Sequence, residues 1–111
     1  MDNTKTPQYF IERIIEDIEF SIKKVKDVTL EEFLEDELLN NTICFKFVQI
    51  SENAKRIPKS IIDENPNIPW NKIFALRNKI VHDYATVLLD VVYYTVVNDL
   101  PSLLENMKSL I

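Results

Sequence analysis

Arg77, His82 and Tyr84 fall within one octet, Arg-Asn-Lys-Ile-Val-His-Asp-Tyr over residues 77–84, and His82 is the single histidine of the chain. An imidazole titrates near neutrality and moves protons, while a guanidinium is a permanent cation. Cleavage of a phosphodiester needs both kinds of group. One serves as base or acid for the hydroxyl protons, and the other meets the charge that develops on the phosphoryl oxygens. Tyr84 adds a phenol on the same stretch. Plainer roles stay open at this point: a lone histidine is commonly a surface or capping residue, Arg77 can snorkel or pair with Glu52, and Tyr84 can simply pack.

The rest of the composition narrows the field. The chain has 111 residues, enough for one domain spanning 1–111, and its 46% apolar and 28% charged content is that of a folded protein. It contains no glycine. Glycine-rich phosphate loops, the dinucleotide fingerprint and the nucleophile elbow all need that residue, so these classes drop out. Tight hairpins are disfavoured for the same reason. Cys44 is alone, which excludes an internal disulfide and fits a reducing cytoplasm. One histidine and one cysteine are too few for a zinc site, and neither a metal nor a cofactor is expected. The polar start at Asp2 and Asn3 does not resemble a signal peptide. The apolar run from Val87 to Val97 is too short to span a bilayer and carries Asp90.

The net charge of −5 argues against indiscriminate nucleic-acid binding. Its distribution is uneven, however. Residues 1–45 carry five basic and eleven acidic groups, residues 46–79 seven and three, and residues 80–111 one and four. The basic segment therefore runs into the octet.

Helical signals account for most of the chain. Thr6-Pro7 reads as a cap and first turn, followed by Ile11, Ile14, Ile15, Ile18, Ile22 and Val25 at helical spacing, which predicts a helix over 7–26. Tyr9 and Phe20 fall on its far side. Thr29 and Glu32 have capping-box spacing and start a short helix. A long helix over 37–57 follows, with Leu39, Ile43, Phe47, Ile50, Ala54 and Ile57 on one face and Pro58 ending it. Pro58, Pro66 and Pro69 mark a connection with one short turn at Ser60–Asp63. A third long helix is predicted over 69–82 and a fourth from Val87 to Asn98, with a kink or restart at Pro101. The fourth segment is apolar on every side, which predicts a buried central helix.

A helical wheel constrains the octet. With Ile73 at zero and about 100° per residue, Ile80, Leu76, Trp70 and Val81 define an apolar face, with Arg77 at about 40° and Tyr84 at about 20° inside it. An arginine there needs a carboxylate or an interface to offset its desolvation. His82 lies at about 180°, beside Asn71 and Asn78 on the polar face. In an unbroken helix Arg77 and His82 thus point about 140° apart and cannot share one phosphate. Either the helix ends near Val81 and turns His82 back, or two protomers assemble the site.

The spacing Arg77, His82, Tyr84 matches the RxxxxHxY motif of HEPN domains. The ordered blocks Ser51-Glu52-Asn53-Ala54-Lys55-Arg56-Ile57-Pro58, Ile68-Pro69-Trp70 and Asn98-Asp99-Leu100-Pro101 resemble the HepT-like branch in particular. The resemblance implies an all-α bundle of four main helices plus one or two short ones, as a homodimer whose motifs line a shared cleft. It implies a metal-independent endoribonuclease acting as the toxin of a toxin-antitoxin system, with RNA as substrate. It further implies a minimal nucleotidyltransferase antitoxin as partner, which silences the toxin by AMPylation of the motif tyrosine, here Tyr84. Carried over, His82 is the general acid/base, Arg77 stabilises the phosphorane charge, and Asn78 orients Arg77 or the phosphate. The chain departs from the family pattern at Asp83 and Ser51, where glycine is frequent, at Ala85, where an aromatic is common, and at Leu88, where an acidic residue often starts the helix.

Two other readings compete. In one, the domain is a non-catalytic binding or regulatory subunit of a nucleotidyltransferase complex. In the other, it is a helical dimer without chemistry, a reading that goes with Arg77 buried against Glu52 and His82 exposed away from any cleft.

Overall fold

The computed structural model describes residues 5–83 and 88–111. The Thr6 hydroxyl accepts from the Tyr9 N–H at 3.3 Å and starts α1 (Pro7–Val25), with Pro7 in the first turn where its missing N–H does no harm. Ile11, Ile14, Ile15, Ile18 and Val25 are buried, as their spacing predicts. Past the end of this helix Asp27 has φ 62°. Glycine usually fills such a left-handed position; in a chain without glycine a short polar residue takes it.

The predicted capping box forms. Thr29 N–H donates to Glu32 Oε1 at 3.0 Å and Glu32 N–H to the Thr29 hydroxyl at 3.1 Å, opening α2 (Leu30–Glu35). Asp36 ends this helix and caps the next, accepting from Leu39 N–H at 3.0 Å to start α3 (Glu37–Ala54). The buried Asn40 amide donates to Phe33 O at 3.2 Å, so the α2–α3 corner has a polar pin as well as the buried Phe33 ring. α3 stops at Ala54, short of the predicted 57. Proline at 58 biases its predecessor away from the helical region, and Ile57 instead turns back, its N–H donating to Ala54 O at 3.1 Å. Ile57 is still buried.

A short α4 (Lys59–Glu64) occupies the proline-rich connection, and the Trp70 indole donates to Asn65 O at 3.0 Å to fix the start of α5 (Trp70–His82). The last rod is α6 (Leu89–Tyr94), a π-helical segment over Thr95–Asp99, and α7 (Leu100–Lys108). Pro101 has no N–H to give the preceding turn, and its ring crowds the carbonyl of residue 97; the widened π register absorbs this without a break.

α3 packs most extensively on α1, and then on α5, while α7 and the π segment close over α1. The result is an all-α bundle of four long elements and two short ones, with no strand among the described residues. Among them, too, no helix is long and apolar enough to cross a membrane. The last rod corrects one expectation. Val92, Val96, Leu100, Leu103 and Met107 form its buried stripe, but Val91, Tyr94 and Val97 are 46–48% exposed, so it is a surface element with one inner face. Apolar residues all round a helix do not bury it when neighbours cover only one side.

Polar contacts also span the bundle. The Tyr93 hydroxyl donates to Val28 O at 2.6 Å, joining the last rod to the α1–α2 turn. Lys46 on α3 donates to the buried Asp17 carboxylate of α1 at 3.2 Å, and its ammonium sits 4.5 Å from the Phe20 ring centroid. Lys46→Met removes the partner of a carboxylate that stays buried, and chemical denaturation should show a loss of about 2 kcal/mol. Cys44, buried in α3, has its thiol pushed up from 9.0 to about 11 by desolvation. The unfolded thiol ionises first, so this group's contribution to stability is complete below pH 9.0 and declines towards about pH 11. Stability should fall more steeply over that window than in Cys44→Ala, and native protein should resist thiol reagents at pH 8 until it is unfolded.

Candidate active site

Trp70 and Ile80 are buried near the two ends of α5, and Ile73, Phe74 and Leu76 are half-buried between them. This face locks the rotation of the helix against α3. It also decides where the octet points.

Arg77 is turned towards α3. Its Nε donates to Glu52 Oε1 at 2.9 Å, its Nη2 lies 2.8 Å from the same oxygen, and its Nη1 donates to Asn78 Oδ1 at 3.1 Å. Three of the five guanidinium N–H groups are engaged by these contacts. The side chains of Arg77 and Glu52 are 21% and 43% exposed, so the cation is largely covered and its carboxylate partner faces water. The requirement that an arginine in the apolar stripe find a carboxylate is met by the residue named from sequence. Asn78, placed by the wheel on the polar face with His82, is bonded to Arg77.

His82 is elsewhere. It is the last residue of α5 and is exposed, and the following Asp83 closes the helix with its N–H to Lys79 O at 2.9 Å. Because α5 is unbroken from Arg77 to His82, the two side chains leave it about 140° apart. The chain does not turn back before the histidine. Tyr84 lies outside the described residues. The structure therefore brings Arg77, Asn78 and Glu52 together and leaves His82 exposed on another face of the same helix, the pairing and exposure that the reading without chemistry goes with.

Glu52 also lines a groove between the start of α1 and the middle of α3, of about 430 Å³, which His82 does not line. Lys5, Tyr9, Arg13, Phe45, Gln49, Asn53 and Arg56 line it too. Sequence reasoning singled out the block Ser51–Pro58 but missed that it forms one wall of a cavity. Tyr9 on the outer side of α1 was the one available signal of a second surface there.

The chain is similar to known proteins along most of its length. The family described as "Ribonuclease HepT-like" matches residues 11–110. A protein of Thermococcus cleftensis named "Probable ribonuclease HepT" is 32% identical over 94 residues, covering 85% of this chain and 86% of the relative. A "Putative RNase" of Caldanaerobacter subterraneus subsp. tengcongensis is 29% identical over 107 residues, 96% of each chain. Another "Putative RNase", from Methanocaldococcus jannaschii, is 26% identical over 107 residues, 96% of this chain and 88% of that one. No solved structure matches.

An ion pair this open to water adds little to the fold. Glu52→Gln should leave urea-melt stability within about 1 kcal/mol of the parent. A much larger loss would mean that the pair is a core element and not a site held at the surface.

Proposed function

We propose, from the premise that this chain belongs to the ribonuclease HepT-like family and so is an enzyme acting on RNA, that it is a metal-independent endoribonuclease whose site is shared by two copies. The observation that carries the shared site is the unbroken α5. One copy cannot present Arg77 and His82 to the same phosphate, whereas a homodimer sets the arginine of one copy beside the histidine of the other.

In this reading the 2′-hydroxyl of the substrate attacks the adjacent phosphorus. His82 removes the hydroxyl proton or protonates the leaving 5′-oxygen, and Arg77 meets the negative charge that builds up on the non-bridging oxygens. The O2′–P bond forms and the P–O5′ bond breaks, giving a 2′,3′-cyclic phosphate and a 5′-hydroxyl. Asn78 and Glu52 hold the guanidinium in one orientation, so its remaining N–H groups can face the phosphate. A nucleophile supplied by the substrate explains selectivity for RNA and dispenses with a metal.

The whole chain acts as one domain, a toxin in the cytoplasm, paired with a nucleotidyltransferase antitoxin that AMPylates Tyr84. What supports this finer reading is the ordered set of HepT-like sequence blocks together with the family match. An adenylyl phosphate on Tyr84 adds negative charge and bulk to the octet, which accounts for silencing in both electrostatic and steric terms.

Purified protein should cut single-stranded RNA in excess EDTA and leave 2′,3′-cyclic phosphate ends. Arg77→Ala and His82→Ala should each lower the rate by about 10²–10⁴-fold. Mixing the two inactive variants should restore partial activity, since a mixed dimer carries one intact site. Cleavage that survives both substitutions sinks the assignment. Inactivity of the parent protein, together with stable co-purification with a nucleotidyltransferase, would instead favour the non-catalytic subunit. A monomer at tens of micromolar by sedimentation would remove the shared site, and intact-mass analysis after co-expression should place an adenylyl group on Tyr84.

A further inference from the structure

Apart from Glu52, which holds Arg77, the lining of the α1–α3 groove has no part in the chemistry above, yet it is unusual for this chain. Residues 1–45 are strongly acidic, but Lys5 and Arg13 come from that segment to meet Arg56 around a single cavity. Its one acidic lining residue, Glu52, is already paired with Arg77. Aromatic faces hold two of the cations: the Lys5 ammonium lies 4.5 Å from the Tyr9 centroid and the Arg56 guanidinium 5.8 Å from that of Phe10. Among the described residues Arg13 has an exposed ion pair with Glu16, at 3.4 Å.

The groove also offers stacking surface and an unused acceptor. Tyr9 and Phe45 are 37% and 59% exposed, large rings left open to solvent on the two helices that form the walls. Gln49 Oε1 is buried and has no hydrogen-bond partner among the described residues. A buried acceptor without a donor is costly, and a ligand N–H is one way to satisfy it. The volume of about 430 Å³ falls within the about 300–1,000 Å³ usual for small-ligand sites.

We propose that this groove is an RNA subsite, taking one unpaired nucleotide of the substrate next to the bond that is cut. The inference rests on the ribonuclease reading and adds to it where the strand runs. The base stacks on Phe45 or Tyr9 and donates an exocyclic N–H to Gln49 Oε1, while flanking phosphates meet Lys5, Arg13 and Arg56. Cations that track a backbone beside aromatic faces that accept any base are the general means of holding single strands. Glu52 makes the subsite continuous with the reaction centre, because its carboxylate lines the groove and holds Arg77. Duplex RNA does not fit this use, since its bases are stacked on one another.

A labelled single-stranded 2′-O-methyl oligoribonucleotide tests the proposal, because it lacks the attacking hydroxyl and is bound without being cut. Fluorescence anisotropy with the full chain should show Phe45→Ala binding it roughly tenfold more weakly. Phe45→Trp should keep parental affinity, with its added indole quenched on binding. Lys5→Gln combined with Arg56→Gln should flatten the dependence of log affinity on log salt by about 0.7 for each phosphate that is no longer neutralised. All these side chains lie at the groove surface, and thermal melts followed by circular dichroism check that each variant folds.

Parental affinity and salt slope in all the variants would overturn the subsite, as would equal binding of a duplex or no binding by the parent. The two readings fail separately. Loss of groove binding with Arg77-dependent cleavage intact removes the subsite alone. Groove binding by a chain that cuts nothing removes the catalytic role and leaves a site for single strands.

Discussion

Burial of α3 between α1 and α5 is the constraint from which the rest of this structure follows. One side of α3 gives Ile43, Phe47 and Ile50 to the core. Its flank towards α1 holds Lys46 against Asp17, and its end towards α5 holds Glu52 against Arg77. Apolar burial supplies the driving force and sets the rotation of the neighbouring helices, and the two ion pairs form where that packing brings their charges together. A rotation of α3 by one residue, about 100°, would separate both pairs at once and turn Glu52 away from the octet.

That arrangement gives one carboxylate two neighbours. Glu52 is the partner an arginine needs in order to sit among apolar residues, and it is also part of a groove wall. The same contact that makes Arg77 tolerable in the bundle fixes where its cation faces. Structural demand and chemical use coincide at this residue because a half-buried guanidinium must be paired before it can be oriented.

The last rod shows a different compromise. Pro101 would interrupt a regular helix, but the π segment ahead of it keeps the inner stripe of Val92, Val96, Leu100, Leu103 and Met107 continuous, α6 facing α2 and α3 and the rest facing α1. The outer residues Val91, Tyr94 and Val97 are left exposed by this packing. Composition of the segment read as fully buried because apolarity reports what can be covered, not what is. Covering depends on how many neighbours the fold places around the rod.

The amino-acid sequence alone determined the features that depend on a few adjacent residues. The Thr6–Pro7 start, the Thr29–Glu32 capping box and the helical spacing of α1 and α5 are set by local hydrogen bonds and a fixed period, so each was legible and each is present. The need of Arg77 for a carboxylate was legible as well, since it follows from the wheel. The opposite directions of Arg77 and His82 were legible as one of two alternatives, and only the continuation of α5 to His82 chose between them. The pairing of Lys46 with Asp17, and the meeting of Lys5 and Arg13 with Arg56, belong to the tertiary structure alone. Those residues are far apart along the chain, no short-range period links them, and only the packing of α1 on α3 brings their charges to one place.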